Sequence, residues 1–286
     1  MQTTILTTTQ DLPQVNEKLS SVINLVNLPI ECDWKSLEKI NNKNLKLIAK
    51  DISNPFLMAE LDKKNNIVCS LCTLAGDGKG RLTITKARPD WYKLQRRIVT
   101  AGRKSELLLQ ACKLTADSKV IDATAGFGHD SLILASGGAN VTMLEQNPLM
   151  ALLLILEKQR MSLEPNWEGL MGRLDIRFKN SVKWFESSAT KNKDLQADVI
   201  YLDPMFPNDS YQGAKVGKGM QILHDLALPP TAKQEQALLN LAQQAIKKNG
   251  RVVVKRPKNA PFLAHVASDE SWENDVVRFD GYFNKK

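Results

Sequence analysis

The 286-residue chain predicts an α/β fold: a parallel sheet with helices on both faces, preceded by a small α+β domain. Three observations carry this reading. From residue 96 onward short apolar strands alternate with helical periodicity. Before that point short alternating runs are separated by turn residues. Hydrophobic residues make up 43% and charged residues 24%, enough for a substantial core and unlike a disordered or fibrous chain.

In the first 95 residues, LKLIAKDIS (45–53), PFLMAEL (55–61) and NIVCSLCTL (66–74) each have strand-like alternation. DKKNN (62–66) suits the hairpin turn between the last two. The alternation through Cys69 and Cys72 places their C-x-x-C on a strand, and no second pair or nearby histidine completes a zinc site. His224 and His265 are far from each other and from any cysteine pair in sequence, so no metal is expected.

The second part, 96–286, opens with SELLLQACKL (105–114), which has amphipathic helical spacing. Strand KVIDA (119–123), helix HDSLILASG (129–137), strand NVTMLE (140–145) and helix PLMALLLILEKQRM (148–161) follow. Strands LDIRFKN (174–180) and ADVIYLD (197–203) come next, then helix AKQEQALLNLAQQAIKKNG (232–250) with a glycine stop, and strand RVVVKRP (251–257). An open parallel sheet binds its ligand beyond the carboxyl ends of its strands, where strand order reverses. The residues just after each strand are therefore the candidates for function.

After the first of these strands comes DATAGFGHDS. Gly126 and Gly128 permit a tight turn and close backbone approach, and the helix that follows offers free N–H groups. After the second strand, Glu145 is placed to accept hydrogen bonds from both hydroxyls of a ribose. Glycine loop and acid together indicate an adenosine-containing cofactor, with nicotinamide cofactors and S-adenosylmethionine both open. The position three after Gly128 is Ser131, so the full dinucleotide fingerprint is missing. After the third strand, Asn180 and Ser181 either contact a base edge or cap the next helix.

The fourth strand ends in DPMFP. An exocyclic amino group on a base is a poor nucleophile, because its lone pair is delocalised into the ring. The Asp203 carboxylate and the Pro204 carbonyl are suited to accept its hydrogens and aim its nitrogen, while Phe206 supplies a stacking face. These three are the expected catalytic residues.

VIDATAGFGHDSLILAS, VTMLEQNP, VIYLDPMFP and RVVVKRP, in this order and spacing, resemble the class I S-adenosylmethionine-dependent methyltransferases. More narrowly, they resemble the J family of small-subunit ribosomal RNA methyltransferases, which act on a guanosine N2 near the 3′ end of 16S rRNA. The resemblance implies a Rossmann-like class I methyltransferase sheet and S-adenosyl-L-methionine as cofactor. Asp122, Ala123, Gly126, Gly128, His129, Asp130, Glu145, Gln146, Asn180, Ser181 and Asp203 would then be cofactor-binding residues. It covers roughly Arg96 to the C-terminus. Met205 stands where the broader amino-methyltransferase motif has a second proline, so the motif leaves adenine N6 or a different guanine open as the target.

The formal charge is +8, and nine bases with one acid, Asp90, lie between Lys79 and Lys104, interleaved with Trp91 and Tyr92. That suits a phosphate-tracking surface, and the expected partner is 16S rRNA or the small ribosomal subunit. Arg103, Lys104, Lys255 and Arg256 are candidate phosphate contacts, and NDSYQGAKVGKGM (208–220) is a candidate lid. No secretory signal is visible at the N-terminus, and the apolar run around 149–156 falls short of the ~20 residues a bilayer span needs, so a cytoplasmic protein is expected, with no membrane or obligate protein partner.

Overall fold

The computed structural model describes residues 1–102, 104–189, 196–205, 221–223, 226 and 229–284. Two compact units are present; the first comprises Met1–Asp90 and Asn147–Glu164 with a few residues near 222, and the second the remainder.

The first unit holds a five-stranded sheet of β1 (Gln2–Thr8), β2 (Glu31–Leu37), β3 (Phe56–Leu61), β4 (Ile67–Gly76) and β5 (Leu82–Ala87), in the order β2-β1-β3-β4-β5. β1 runs parallel to β2 and β3, whereas β3, β4 and β5 form an antiparallel meander. Helix α1 (Leu12–Val26) makes the β1-to-β2 crossover and buries Val15, Leu19, Val22 and Ile23, one stripe at helical spacing. The turn expected at 62–66 forms: the Asp62 carboxylate accepts the Lys64 and Asn66 N–H groups at 2.8 and 2.9 Å. Cys69 and Cys72 are buried as free thiols in β4, pushed up by burial, Cys72 to about 12.

One expectation fails here. Residues 45–53 are not a strand; helix α2 (Asn42–Ile48) and a following 3-10 turn occupy this stretch. The Asn41 side chain caps α2 by accepting the Asn44 N–H. Leu45 and Leu47 would share a face in a strand, yet Leu45 is buried and Leu47 is 76% exposed. Helical spacing instead brings Leu45 and Ile48 together against Phe56, Met58, Leu82 and Ile84.

The second unit begins with helices α3 (Gln95–Thr100) and α4 (Leu107–Cys112). Its seven strands are β6 (Lys119–Asp122), β7 (Asn140–Glu145), β8 (Leu174–Phe178), β9 (Ala197–Leu202), β10 (Ile246–Pro257), β11 (Glu270–Glu273) and β12 (Val277–Phe283). They stand in the order β11-β12-β10-β9-β6-β7-β8. β8, β7, β6, β9 and β10 are parallel, while β12 runs antiparallel to β10 and β11. From β6 the chain steps outward to β7 and β8, then returns to β9 on the other side of β6. The β6/β9 boundary is therefore the switch point where ligands bind.

Helix α5 (His129–Ser136) follows β6. Helix α6 (Pro148–Ser162) belongs to the first unit and is buried around most of its circumference, which explains its unbroken leucine run. After it come α7 (Glu168–Met171), α8 (Ser181–Ala189) and α9 (Ala232–Ala245). Phe185 of α8 and Leu238, Leu239 and Ala242 of α9 pack on Ile121, Ile200, Val252 and Val254 of the sheet. α9 opens with a Thr231/Gln234 capping box and stops at Ala245, five residues short of the expected glycine stop. Gly250 lies instead inside β10, at a register shift between Ile246 and Arg251. A Cβ there would sit 2.9 Å from the carbonyl oxygens of Asp198 and Lys247, so this glycine serves a close backbone approach. β11 and β12 lie beyond the last strand expected from the sequence.

Candidate active site

The loop after β6 is built around Asp122, which is 1% exposed. Its carboxylate accepts the Ser131 hydroxyl at 2.5 Å and the Thr124 N–H at 3.1 Å. Burial pushes this carboxyl up to about 7, against those two hydrogen bonds and with Asp130 and Asp203 nearby. Gly126 (φ +55°) and Gly128 (φ +71°) are left-handed, a conformation open to glycine at no steric cost. Gly128 is the residue before the first turn of α5, so the chain reverses there to present the helix N-terminus. Trp91 donates its indole N–H to the Phe127 carbonyl at 2.7 Å and pins the outside of the loop.

The second strand's acid reaches the same loop. Glu145, nearly buried at the end of β7, accepts the Gly126 N–H at 3.0 Å, and Ala125 N–H donates to Leu144 O. Asn180 makes one of the two contacts that the sequence leaves open, the helix cap. Its Oδ1 accepts the Lys183 N–H at the start of α8, and its Nδ2 donates to Gln146 Oε1 at 2.5 Å. Ser181 donates its hydroxyl to the Ala123 carbonyl. Asp122, Ala123, Gly126, Glu145, Gln146, Asn180 and Ser181 thus form one hydrogen-bonded rim at the carboxyl ends of β6, β7 and β8. His129 lies at the first position of α5, its ring tilted against Phe127 at 6.1 Å.

Across the switch point the contacts are ionic. The Asp203 backbone N–H donates to Thr124 Oγ1 at 2.6 Å, which ties the end of β9 to the β6 loop. Lys255 Nζ donates to Asp130 Oδ2 at 2.7 Å and to Asp203 Oδ2 at 2.9 Å. The buried Tyr201 hydroxyl donates to Asp130 Oδ2 at 2.6 Å. Burial opposes charge on all three ionic groups. The two carboxylates outweigh it for Lys255 and keep the ammonium protonated. For Asp130, Lys255 and the Tyr201 hydroxyl outweigh it and hold the carboxyl below its ordinary range. For Asp203, burial with the Asp130 charge outweighs Lys255 and the carboxyl is raised. One ammonium cannot neutralise two carboxylates, and Asp130, with the shorter contact and a second donor, takes the larger share.

The residues fit the expected cofactor on these grounds. An excess of carboxylate over ammonium suits the positive sulfonium and α-ammonium of S-adenosylmethionine. A left-handed glycine pair beside Glu145 suits its nucleoside. Pro204 is buried directly after Asp203, and Met205 follows. Phe206, the candidate lid at 208–220, Arg103 and His224 lie outside the described residues.

Two sequence expectations are corrected. Lys255 is committed to Asp130 and Asp203, and does not stand ready for a phosphate. The Arg256 side chain is 4% exposed, pairs with Glu235 and donates to the Pro261 carbonyl. Lys104 is exposed. Sequence reasoning missed Thr124, Tyr201 and Ser131 and misassigned Lys255. Among the described residues no cluster of histidine, cysteine and acid is arranged for a metal ion, and no helix is long and apolar enough to cross a membrane.

The SAM_MT family of SAM-dependent methyltransferases matches residues 85–284. The chain is 56% identical over 263 residues to ribosomal RNA small subunit methyltransferase J of Psychrobacter arcticus, covering 86% of this chain and 83% of that protein. It is 52% identical to the protein of the same name from Psychrobacter cryohalolentis, covering 93% and 90%. Among solved structures, a SAM-dependent methyltransferase from Neisseria gonorrhoeae superposes with a TM-score of 0.69 at 26% identity, covering 98% of this chain and 96% of that one. With a glycine loop, an acid on the second strand and Asp-Pro on the fourth around one switch point, the chain belongs to the S-adenosylmethionine-dependent methyltransferases, in the family of the small-subunit ribosomal RNA methyltransferases J.

Proposed function

We propose that this enzyme methylates the exocyclic N2 of a guanosine in 16S rRNA, as free rRNA or within the small ribosomal subunit, in the cytoplasm. A methyltransferase domain over 96–286 performs the chemistry, and a small N-terminal domain over 1–95 accompanies it. The observation that carries the reading is the Asp203-Pro204 pair at the end of β9, tied through Thr124 to the glycine loop. The names of the two Psychrobacter relatives support the substrate class.

Bound S-adenosylmethionine supplies an electrophilic methyl group at this rim. Gly126, Gly128, Glu145 and Gln146 would hold its nucleoside, while Asp130 and Asp203 would offer their carboxylates to its positive groups. The Asp203 carboxylate and the Pro204 carbonyl accept the two N–H groups of the guanine amine. Its nitrogen would thereby be held and aimed by this chain's own residues. The proton that the methylated amine sheds would pass to solvent or to the Asp203 carboxylate that already accepts its N–H. Positioning, not covalent catalysis, supplies the rate, and Lys255 holds Asp203 in place for it.

Small ribosomal subunits or 16S rRNA from a strain lacking this gene, incubated with labelled S-adenosylmethionine and digested to nucleosides, test the reading. Label in N2-methylguanosine is expected. Label in N6-methyladenosine or another nucleoside would overturn the choice of target base, and absence of label in either substrate would overturn the choice of RNA.

A further inference from the structure

The first unit carries a surface of exposed cations that, among the described residues, have no ion-pair partner. Lys43 and Lys46 on α2 and Lys50 in the following 3-10 turn project at helical spacing, about 4.5 and 6 Å apart along the axis. Lys39 precedes them, and no acid lies between Lys39 and Lys50. The β4–β5 hairpin adds Lys79 and Arg81.

Hairpin and helix are fastened together. Asn42 donates its side-chain N–H to Leu82 O at 2.8 Å, Leu45 and Ile48 pack with Leu82 and Ile84, and Lys46 Nζ lies 3.8 Å from where a Cβ on Gly80 would be. All six cations are exposed, and among the described residues none is within ion-pair distance of an acid, Lys46 feeling the Asp77 charge at longer range. Elsewhere in the same unit Lys35, Lys64, Lys86, Arg88 and Arg160 each have an acidic partner. Glu38 and Asp51 flank the surface. Asp77, the acid within the hairpin, turns its carboxylate onto the Lys79 and Arg81 N–H groups. Unpaired like charges held side by side repel, and a polyanion laid across them relieves that repulsion.

We propose that α2 and the β4–β5 hairpin form a second RNA-binding surface, remote in sequence from the Asp203 site, that grips the phosphodiester backbone of the substrate without reading its sequence. This rests on the ribosomal RNA reading above. The surface supplies affinity and register, while Asp203 and Pro204 supply selection of the amine.

The test uses the full chain with K43E/K46E/K50E on α2 and, independently, K79E/R81E on the hairpin. Binding of a fluorescent, unmethylated 16S rRNA fragment is titrated at several salt concentrations, and methyl transfer is measured on the same RNA. Each neutralised phosphate contributes about 0.7–0.9 to the slope of log affinity against log salt. The α2 variant is expected to bind roughly 10-fold or more weakly and to lose about 2–3 from that slope. KM for RNA should rise, with kcat and S-adenosylmethionine affinity unchanged. If the α2 variant fails to bind the cofactor and so to fold, the hairpin variant decides alone.

Unchanged affinity and slope in a folded variant would overturn the proposal. So would unchanged binding to naked RNA with weakened binding to small subunits, which would assign the surface to a protein. A wild-type enzyme that methylates a different nucleoside would sink the functional reading, while the salt slopes would still decide the surface.

Discussion

The two flanks of the strand-order reversal are built from different materials. On the β6–β7 side the acids hold the backbone of the glycine loop: Asp122 accepts the Thr124 N–H as well as the Ser131 hydroxyl, and Glu145 accepts the Gly126 N–H. On the β9–β10 side the contacts run between side chains: Tyr201 and Lys255 reach across to Asp130 in the first turn of α5, and Lys255 also serves Asp203. A backbone-tied rim has few alternative conformations and a fixed shape, which suits recognition of one invariant cofactor. A side-chain ionic cluster responds to protonation and to the arrival of another charge, which suits a surface that must accept an amine and then release it methylated. The first flank should therefore govern affinity and the second turnover.

Asp203→Ala puts that division under the greatest strain. Removing the acceptor for the amine should cost about 10²–10⁴-fold in single-turnover methyl transfer. Cofactor affinity by calorimetry should move only a few-fold, and the fold should survive. Glu145→Ala should do the reverse: cofactor binding about 10–100-fold weaker, from a lost charge-assisted hydrogen bond, with most of the rate recovered at saturation. Equal loss of cofactor affinity in both variants, with unchanged rates at saturation, would erase the distinction between the flanks.

The backbone-tied flank was legible in the sequence because its parts are local. DATAGFG and the acid ending VTMLE each announce themselves as the residues that follow a strand, and parallel-sheet topology brings strand ends together. Asp203 was legible for the same reason. Lys255 was not, because its role depends on inter-strand register: Val253 pairs with Tyr201 and Val254 with Leu202, so the next residue of β10 arrives beside Asp203. Nothing within RVVVKRP distinguishes that lysine from the arginine after it, which turns away to Glu235. α2 was misread because its Leu45/Leu47 alternation mimics a strand, and only packing shows that one is buried and the other exposed.

Lys255 allows the ionic flank to be sharpened. Lys255→Met removes the cation from between two carboxylates, so both should rise in pKa, Asp203 from a value already above its ordinary range. If turnover needs Asp203 ionised, the acid limb of the kcat profile should move to higher pH, with about a 10-fold loss at neutral pH. Lys255→Arg should recover part of it, and raising the pH should recover part of the loss in Lys255→Met. A lysine that merely braced the fold would lower the rate equally at every pH.

The mildest intervention addresses the backbone-tied flank through stability. Asp122 is raised to about 7 in the folded protein, whereas an unfolded chain leaves it near the ordinary ~3.9. The folded state then binds this proton more tightly than the unfolded state. Its contribution to stability is fully present below about pH 4, declines as pH rises toward 7, and is flat above that. In Asp122→Asn an amide oxygen can still accept the Thr124 N–H, and the Ser131 hydroxyl can rotate to accept from the amide nitrogen. The variant should lose this component of the pH dependence, melting a few degrees higher than the parent at pH 8 and close to it at pH 4.5. Thermal melts across that range would read the difference. Parallel curves for the two proteins would mean that Asp122 is already ionised at low pH, and that Ser131 and Thr124 stabilise its charge more than burial penalises it.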